Sequence, residues 1–303
     1  MMRRDSPAEI PYNRFFDFIE TDADRYGILA GMLDSLGLNS TVLPIDGNRH
    51  FFIFPRGQSV KPGAGFPFSR QSPVILAAHY DRVAGSPGAN DNSAAVFHLI
   101  KTAMRLTEQG TNYWIIILTD KEELLEGEGI QNQGSYTLAK KLREWGLGDA
   151  RVYIFDACGA GDTFIISNTS DYLLRNDDRP GIRKAKQLNG DLRDYALQTA
   201  RFLRLNRLLL IPTPFSDDAG FLRAGIPAQT ITMLPAKEAA AYASLLRRRP
   251  EFADFLLAGA IEDPTDRRLI PETWRCLNGP ADSHLLLTPE NFAAVVRFAV
   301  ALV

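Results

Sequence analysis

VILAAHYDRVAGSPGANDN, residues 74–92, is the stretch on which the reading of this chain turns. It opens with the short apolar run Val74–Ala78, which predicts a buried strand. Polarity then changes abruptly, and the strand delivers an imidazole and a carboxylate, His79 and Asp81. A Gly/Pro loop through Gly85, Pro87 and Gly88 leads to Asp91, immediately ahead of the helical spacing of Ala94, Ala95, Val96, Leu99, Ile100 and Ala103. One His near one Asp is most often a surface ion pair or a cap. A His and two Asp at one strand-loop-helix junction also suit a divalent cation, with His79 nitrogen and Asp91 oxygen as ligands and Asp81 accepting the other ring N–H of His79.

The same punctuation recurs downstream. Tyr113–Leu118 is a continuous apolar run of the kind found in strands covered on both faces, and it ends in Thr119-Asp120-Lys121-Glu122-Glu123. A helical pattern from Tyr136 to Trp145 follows, and then Val152–Phe155 gives a third buried run ending at Asp156. Strands alternating with helices predict a mainly parallel sheet, in which ligands bind at the carboxyl ends of the strands. His79/Asp81, Glu122/Glu123 and Asp156 all belong to those ends. A Glu-Glu pair alone is common on exposed helices. Acidic groups at successive strand ends repel one another unless a cation neutralises them, so the combination favours a metal centre over solvated loops.

Outward from this core, residues 12–37 predict one or two packing helices ending at Gly37. Thr41–Pro44 and His50–Phe54 predict a hairpin turning at Asp46-Gly47, with His50 structural. Further strands are expected at Thr163–Ser167, Leu208–Ile211 and Ala228–Met233, and helices at Asp191–Leu205 and Ala219–Ala224. Residues 235–271 read as mostly helical, a possible cover over the site. The last helix is expected to start with Thr288 as N-cap and Pro289 at its first position, burying Phe292, Val295, Val296, Ala299 and Leu302. The whole, residues 1–303, is expected to be a single α/β domain: a three-layer sandwich with a central mixed, mainly parallel sheet flanked by helices.

Composition bounds the partners. A formal charge of −2 gives no concentrated basic face for nucleic acid or an anionic membrane, and Arg247-Arg248-Arg249 reads as a solvated helix end. Pro7, Glu9, Pro11 and Arg14 interrupt any apolar stretch near the start, no run reaches transmembrane length, and two cysteines form no disulfide framework, so a cytoplasmic location is expected. Two competing motifs fail. Ala84-Gly85-Ser86-Pro87-Gly88 has Ala84 where a nucleophile elbow needs its first glycine and Pro87 where a helix should start, and Gly159-Ala160-Gly161 lacks the third glycine and helix of a dinucleotide site. Cys158 lies near carboxylates that raise a thiol pKa, which favours an inert small residue.

Taken together, the motifs from about residue 74 onward resemble the zinc aminopeptidase and glutaminyl cyclase superfamily. The resemblance rests on His79-Tyr80-Asp81 after the first core strand, Gly88-Ala89-Asn90-Asp91-Asn92, Glu122-Glu123, Asp156, and Ser216-Asp217 through Gly225-Ile226-Pro227. It implies an α/β sandwich with a co-catalytic centre: one metal held by His79, Asp91 and Asp156, and a second by Asp91, Glu123 and a late histidine. Asp81 would orient His79, Glu122 would be the general base, and Asp217 is a candidate substrate-binding residue. The late segment departs from the family pattern, because in the register Trp274-Arg275-Cys276-Leu277-Asn278-Gly279-Pro280-Ala281-Asp282-Ser283 it is Asn278 that stands at the histidine position. His284 follows six residues later and would replace it only through a re-routed loop; His98 is expected on the solvent face of its helix. The implied activity is a metal-dependent exopeptidase, aminopeptidase-like, on a small peptide-like substrate, with one or two divalent ions, zinc first among them. A glutaminyl cyclase-like acyltransferase and a peptide-binding member with little turnover are the alternatives.

Overall fold

Strand β3, Val74–His79, lies at the centre of an eight-stranded sheet in the computed structural model, which describes residues 12–58, 72–124, 127–173, 175, 180–257 and 264–303. Before it come helices α1 (Tyr12–Ile19) and α2 (Arg25–Ser35) and the hairpin β1 (Ser40–Ile45) and β2 (Asn48–Ile53). The hairpin turns at Asp46-Gly47 as expected, both residues having positive φ (51° and 82°), the requirement of a tight two-residue turn. After β3 the chain alternates through α3 (Ala94–Glu108), β4 (Trp114–Thr119), α4 (Gly134–Glu144) and β5 (Arg151–Phe155). It continues with β6 (Thr163–Ser167), α5 (Thr169–Leu173), α6 (Pro180–Phe202), β7 (Leu208–Ile211), α7 (Asp218–Arg223) and β8 (Ala228–Leu234). The last part holds α8 (Ala236–Arg248), α9 (Phe252–Leu257), α10 (Pro264–Arg267), α11 (Glu272–Arg275) and α12 (Phe292–Ala301).

The strand order is β1-β2-β4-β3-β5-β8-β6-β7. Its middle, β4-β3-β5-β8, is parallel, while β1, β2 and β6 join antiparallel and β7 pairs parallel with β6. The chain steps from β3 to β4 on one side and returns to β5 on the other. The carboxyl ends of β3, β4 and β5 therefore flank a reversal of strand order, where a parallel sheet opens a crevice.

Period-two alternation in these apolar strands feeds two cores. Leu76, Ala78, Ile116, Leu118 and Phe155 face α1, α2, α3 and α12, whereas Ile75, Ala77, Ile115, Ile117 and Ile154 face α4 and α7. Each buried Ile or Leu contributes about 1.5–3 kcal/mol relative to exposure, which makes the sheet a rigid platform for its own ends. A third cluster, with Ile165, Leu234, Tyr242 and Trp274, seats α8 and α9 on the outer strands. The fold is the three-layer α/β sandwich expected from the sequence.

Some details differ. Helix α6 begins at Pro180, eleven residues before the expected start, because Arg183, Lys184 and Lys186 hide the apolar period while proline opens the first turn. Thr288 precedes a single tight turn, Pro289–Asn291, and its hydroxyl accepts the Gly161 N–H at 2.8 Å rather than capping; α12 proper starts at Phe292, which is half-buried. His98 is 2% exposed, not on a solvent face, since α3 lies between the sheet and α12 and has little free surface. Among the described residues, no helix is long and apolar enough to cross a membrane.

Candidate metal centre

His79 is the last residue of β3, and its ring sits among three carboxylates. Nε2 lies 3.0 Å from Asp91 Oδ1 and 3.7 Å from Asp156 Oδ1, and Nδ1 lies 3.4 Å from Asp81 Oδ1. Ligand atoms of His79, Asp91 and Asp156 all fall within 4.8 Å of one another. Although all three atoms are buried, neither ring nitrogen has a hydrogen-bond partner of good geometry, and Asp156 Oδ1 has none either. Leaving such atoms unsatisfied costs about 1–3 kcal/mol each, so the donor set fits a divalent cation drawn in among them. Imidazole nitrogen with carboxylate oxygen is a zinc-compatible set.

Each ligand is held from behind. Asp81 Oδ2 accepts the N–H groups of Glu122 (3.0 Å) and Glu123 (3.3 Å), tying the end of β3 to the loop after β4. Asp91 sits in a wide turn, Ala89–Ser93, reached through Gly88 at φ 59°. A Cβ on Gly88 would come within 2.8 Å of both Asp91 O and Arg25 Nη2, so only glycine closes this turn. Asn90 Oδ1 accepts Gly159 N–H (2.8 Å), and Asn92 donates to Phe155 O (2.8 Å) and accepts Ala157 N–H (3.2 Å), locking the Asp91 turn to the Asp156 loop. Asp282 completes the support: its two oxygens accept the N–H of Asn90 (2.8 Å) and Asp91 (3.1 Å). Arg25, buried in α2, donates to Tyr80 O, Asp81 O, Pro87 O and Ser93 Oγ, joining both halves of the 74–92 stretch.

Residues Asp91, Glu122, Glu123, Asp156 and Asn278 line a cavity of about 340 Å³. Its lining also includes the apolar residues Leu124, Pro214, Phe215, Trp274 and Leu277. Glu123 carboxylate is hydrogen-bonded by Asn278, whose backbone is left-handed (φ 61°), a conformation asparagine tolerates. Gln133 Nε2 donates to Glu122 O (3.1 Å) and Oε1 (3.4 Å). Burial, reinforced by Asp156, Asp217 and Asp91, pushes the Glu122 carboxyl well up, and burial beside Asp91 pushes Glu123 up to about 7. Burial opposes charge on His79, but the neighbouring carboxylates of Asp156, Asp81 and Asp91 prevail and hold it well above the usual histidine range. Crowded carboxylates of this kind are neutralised by a cation placed among them.

Among the described residues only His79, Asp91 and Asp156 form a compact group of this kind, and Glu123 and Asn278 stand further along the cavity wall. His284 is elsewhere, its ring 5.3 Å from that of Phe16. Asp217 is not among the residues that line the cavity: it is fully buried, its Oδ2 accepting the Thr119 hydroxyl at 2.5 Å. Thr213, Pro214 and Phe215, ahead of it in the chain, reach the cavity instead. Nor do the described residues of 235–271 line it; their helices cover the outer strands, and the wall from this direction is Trp274, Leu277 and Asn278. Asp282, Arg25 and Gln133 carry no signal in the sequence as supporting residues, since they act mainly on backbone groups that only the fold brings near.

A parallel-sheet crevice with a buried His-Asp-Asp cluster and a neighbouring Glu pair is a site suited to a divalent cation beside a carboxylate base. The family model of "Peptidase family M28" matches residues 63–252, more than half of the chain, and the chain belongs to that family. Membership places it in a family of metal-dependent peptidases, with a divalent metal as the implied cofactor. No curated protein matches the chain by sequence. Solved structures with the same fold include a Porphyromonas gingivalis glutaminyl cyclase (16% identity, TM-score 0.59, covering 96% of this chain and 95% of that one). A Zn-dependent exopeptidase from Parabacteroides distasonis is also similar (15% identity, TM-score 0.57, 98% and 97%). BSAP, a zinc aminopeptidase from Bacillus subtilis, shares 17% identity at TM-score 0.52 over 84% of this chain, which spans about half (49%) of that protein.

Proposed function

We propose that the protein is a metal-dependent exopeptidase, aminopeptidase-like, that hydrolyses an amide bond of a small peptide-like substrate. The observation that carries this reading is the position of Glu122: it lines the same cavity as Asp91 and Asp156, with its backbone held by Asp81 and Gln133. His79, Asp91 and Asp156 would hold the principal ion, and Asp91, Glu123 and Asn278 a weaker second one. The chemistry a divalent ion supplies there when bound is Lewis acidity toward a carbonyl and a water molecule. Glu122 accepts a proton as water oxygen adds to the amide carbon, and returns it to the amine nitrogen as the C–N bond breaks. Asp81 keeps His79 oriented, and the apolar wall of Phe215, Trp274 and Leu277 excludes bulk water from the substrate side chain.

A second reading, cyclisation of an N-terminal glutaminyl substrate, keeps Glu122 as the proton shuttle. It is the weaker of the two readings, because that branch of the resemblance relies on the metal site completed by the late histidine, where Asn278 stands. The test is one experiment: zinc-loaded protein offered a panel of aminoacyl amides beside glutaminyl peptides, with Glu122→Gln as control. Free amine release from the aminoacyl amides supports the exopeptidase, and ammonia release from glutaminyl peptides supports the cyclase. Neither product in either assay, with metal bound, would leave a peptide-binding protein with no turnover.

A further inference from the structure

A second cavity lies behind the metal centre, and at about 540 Å³ it is larger than the one over it. Its floor is made by Ala94, Phe97, His98 and Gly159, all buried, and its mouth by half-buried Phe16 and the exposed residues His284 and Pro289. Phe15 meets Phe97 edge to face at 5.2 Å and Phe292 lies 4.7 Å from the His98 ring, so the walls are largely aromatic. Among the described residues, no Asp, Glu, Lys or Arg lines it. One polar atom there is unexplained: His98 Nδ1 is buried and has no hydrogen-bond partner. Burial pushes His98 down to about 3, so the ring is neutral and offers one donor and one acceptor.

These features define a ligand. An apolar concavity of several hundred Å³ with a few polar groups is the usual form of a small-molecule site. The uncharged lining would strip a carboxylate of water and return nothing, which excludes anions. A hydroxyl both donates and accepts, so it satisfies His98 in either tautomer. We propose that this cavity binds a small uncharged molecule with an aromatic body and one hydroxyl group, the hydroxyl bonding to His98. The site is separate from the catalytic reading, because His98 and His284 do not line the metal cavity.

The test uses zinc-loaded protein with phenol, toluene and benzoate as probes, followed by titration of the histidine ring nitrogen resonances and by saturation-transfer NMR. Phenol is expected to bind saturably at one site per chain, shifting the His98 signals, about fivefold more tightly than toluene, as one net hydrogen bond implies. Benzoate is expected not to bind at this site. In His98→Phe the preference for phenol over toluene should vanish while toluene still binds. In His284→Trp, a change at the exposed mouth, both should weaken. Phenol binding that is unsaturable, that leaves the His98 signals unmoved, or that survives His284→Trp unchanged overturns the proposal, as does benzoate binding as tightly as phenol.

Discussion

Asp282 holds Asp91 by its backbone: one carboxylate oxygen accepts the Asp91 N–H at 3.1 Å while the other accepts that of Asn90 at 2.8 Å. The chain between Asn278, on the cavity wall, and Asp282 is thus clamped to the turn that carries a central ligand. Ser86 Oγ adds a bond to Gly279 O at 3.1 Å. The late segment and the 74–92 stretch form one unit.

Asp282→Ala is therefore expected to weaken zinc binding by about 10–100-fold without removing a ligand, the usual cost of losing a group that orients one. Two buried N–H groups left without acceptors should also destabilise the fold by about 1–3 kcal/mol each. Competition titration against a chromophoric chelator reads the affinity, and urea unfolding reads the stability. Asp282→Asn, which keeps one acceptor oxygen, should fall between wild type and alanine.

Adjacent residues Glu122 and Glu123 are expected to separate in function. Glu122→Gln should reduce kcat by about 10²-fold or more, the range for a lost general base, with metal content unchanged. Glu123→Gln should lower the affinity for a second ion and leave the first in place. Equal metal loss from both variants would refute the division of roles.

Asn278 hydrogen-bonds Glu123 where relatives are expected to carry a histidine. An amide oxygen is a poorer zinc ligand than imidazole and suits harder cations. At limiting zinc the wild type should bind nearer one ion than two per chain, and Asn278→His should raise this toward two. Elemental analysis after gel filtration measures it. Two tightly held zinc ions in the wild type would contradict the assignment.

His98 predicts an acid sensitivity unrelated to metal. Its folded-state value of about 3 lies below an unfolded one of about 6.5, so the unfolded chain takes up the proton first as pH falls. The fold's stability from this group is complete above about pH 6.5 and is lost at up to ~1.4 kcal/mol per unit down to about pH 3. Raised carboxyls such as Asp282, at about 7, act in the opposite direction as they protonate, so the comparison must be between chains at each pH. His98→Phe should lose about 2 kcal/mol less than wild type between pH 7.5 and pH 5, measured by urea unfolding of the metal-free proteins.

The sheet was legible because β3, β4 and β5 are uninterrupted apolar runs that end in acidic or imidazole side chains, and those endings mark the carboxyl edge. The likely-looking alternatives at Ser86 and Gly159 failed on local chemistry alone. What the sequence hid was every interaction made through the backbone. Asp282 and Arg25 look like any charged residue in a loop or at a helix start, and their N–H and carbonyl partners lie 191 and 55 residues away. His98 was misplaced because α3 is buried on both sides, so its polar residues do not mark a wet face. The contact of Asp217 with the Thr119 hydroxyl is likewise one that its motif does not mark, since 98 residues separate the two.

The central claim is that His79, Asp91 and Asp156 hold a divalent ion, and calorimetric titration of metal-free protein with zinc, read beside the melting temperature, tests it most directly. Binding to the folded state alone adds about 2.7 kcal/mol at a hundredfold excess over Kd, enough to raise the melting temperature by several degrees. The account predicts that rise for wild type with at least one ion bound per chain, and its loss in Asp156→Asn. A wild-type melting temperature unmoved by zinc, manganese or cobalt, with no heat of binding, would contradict it.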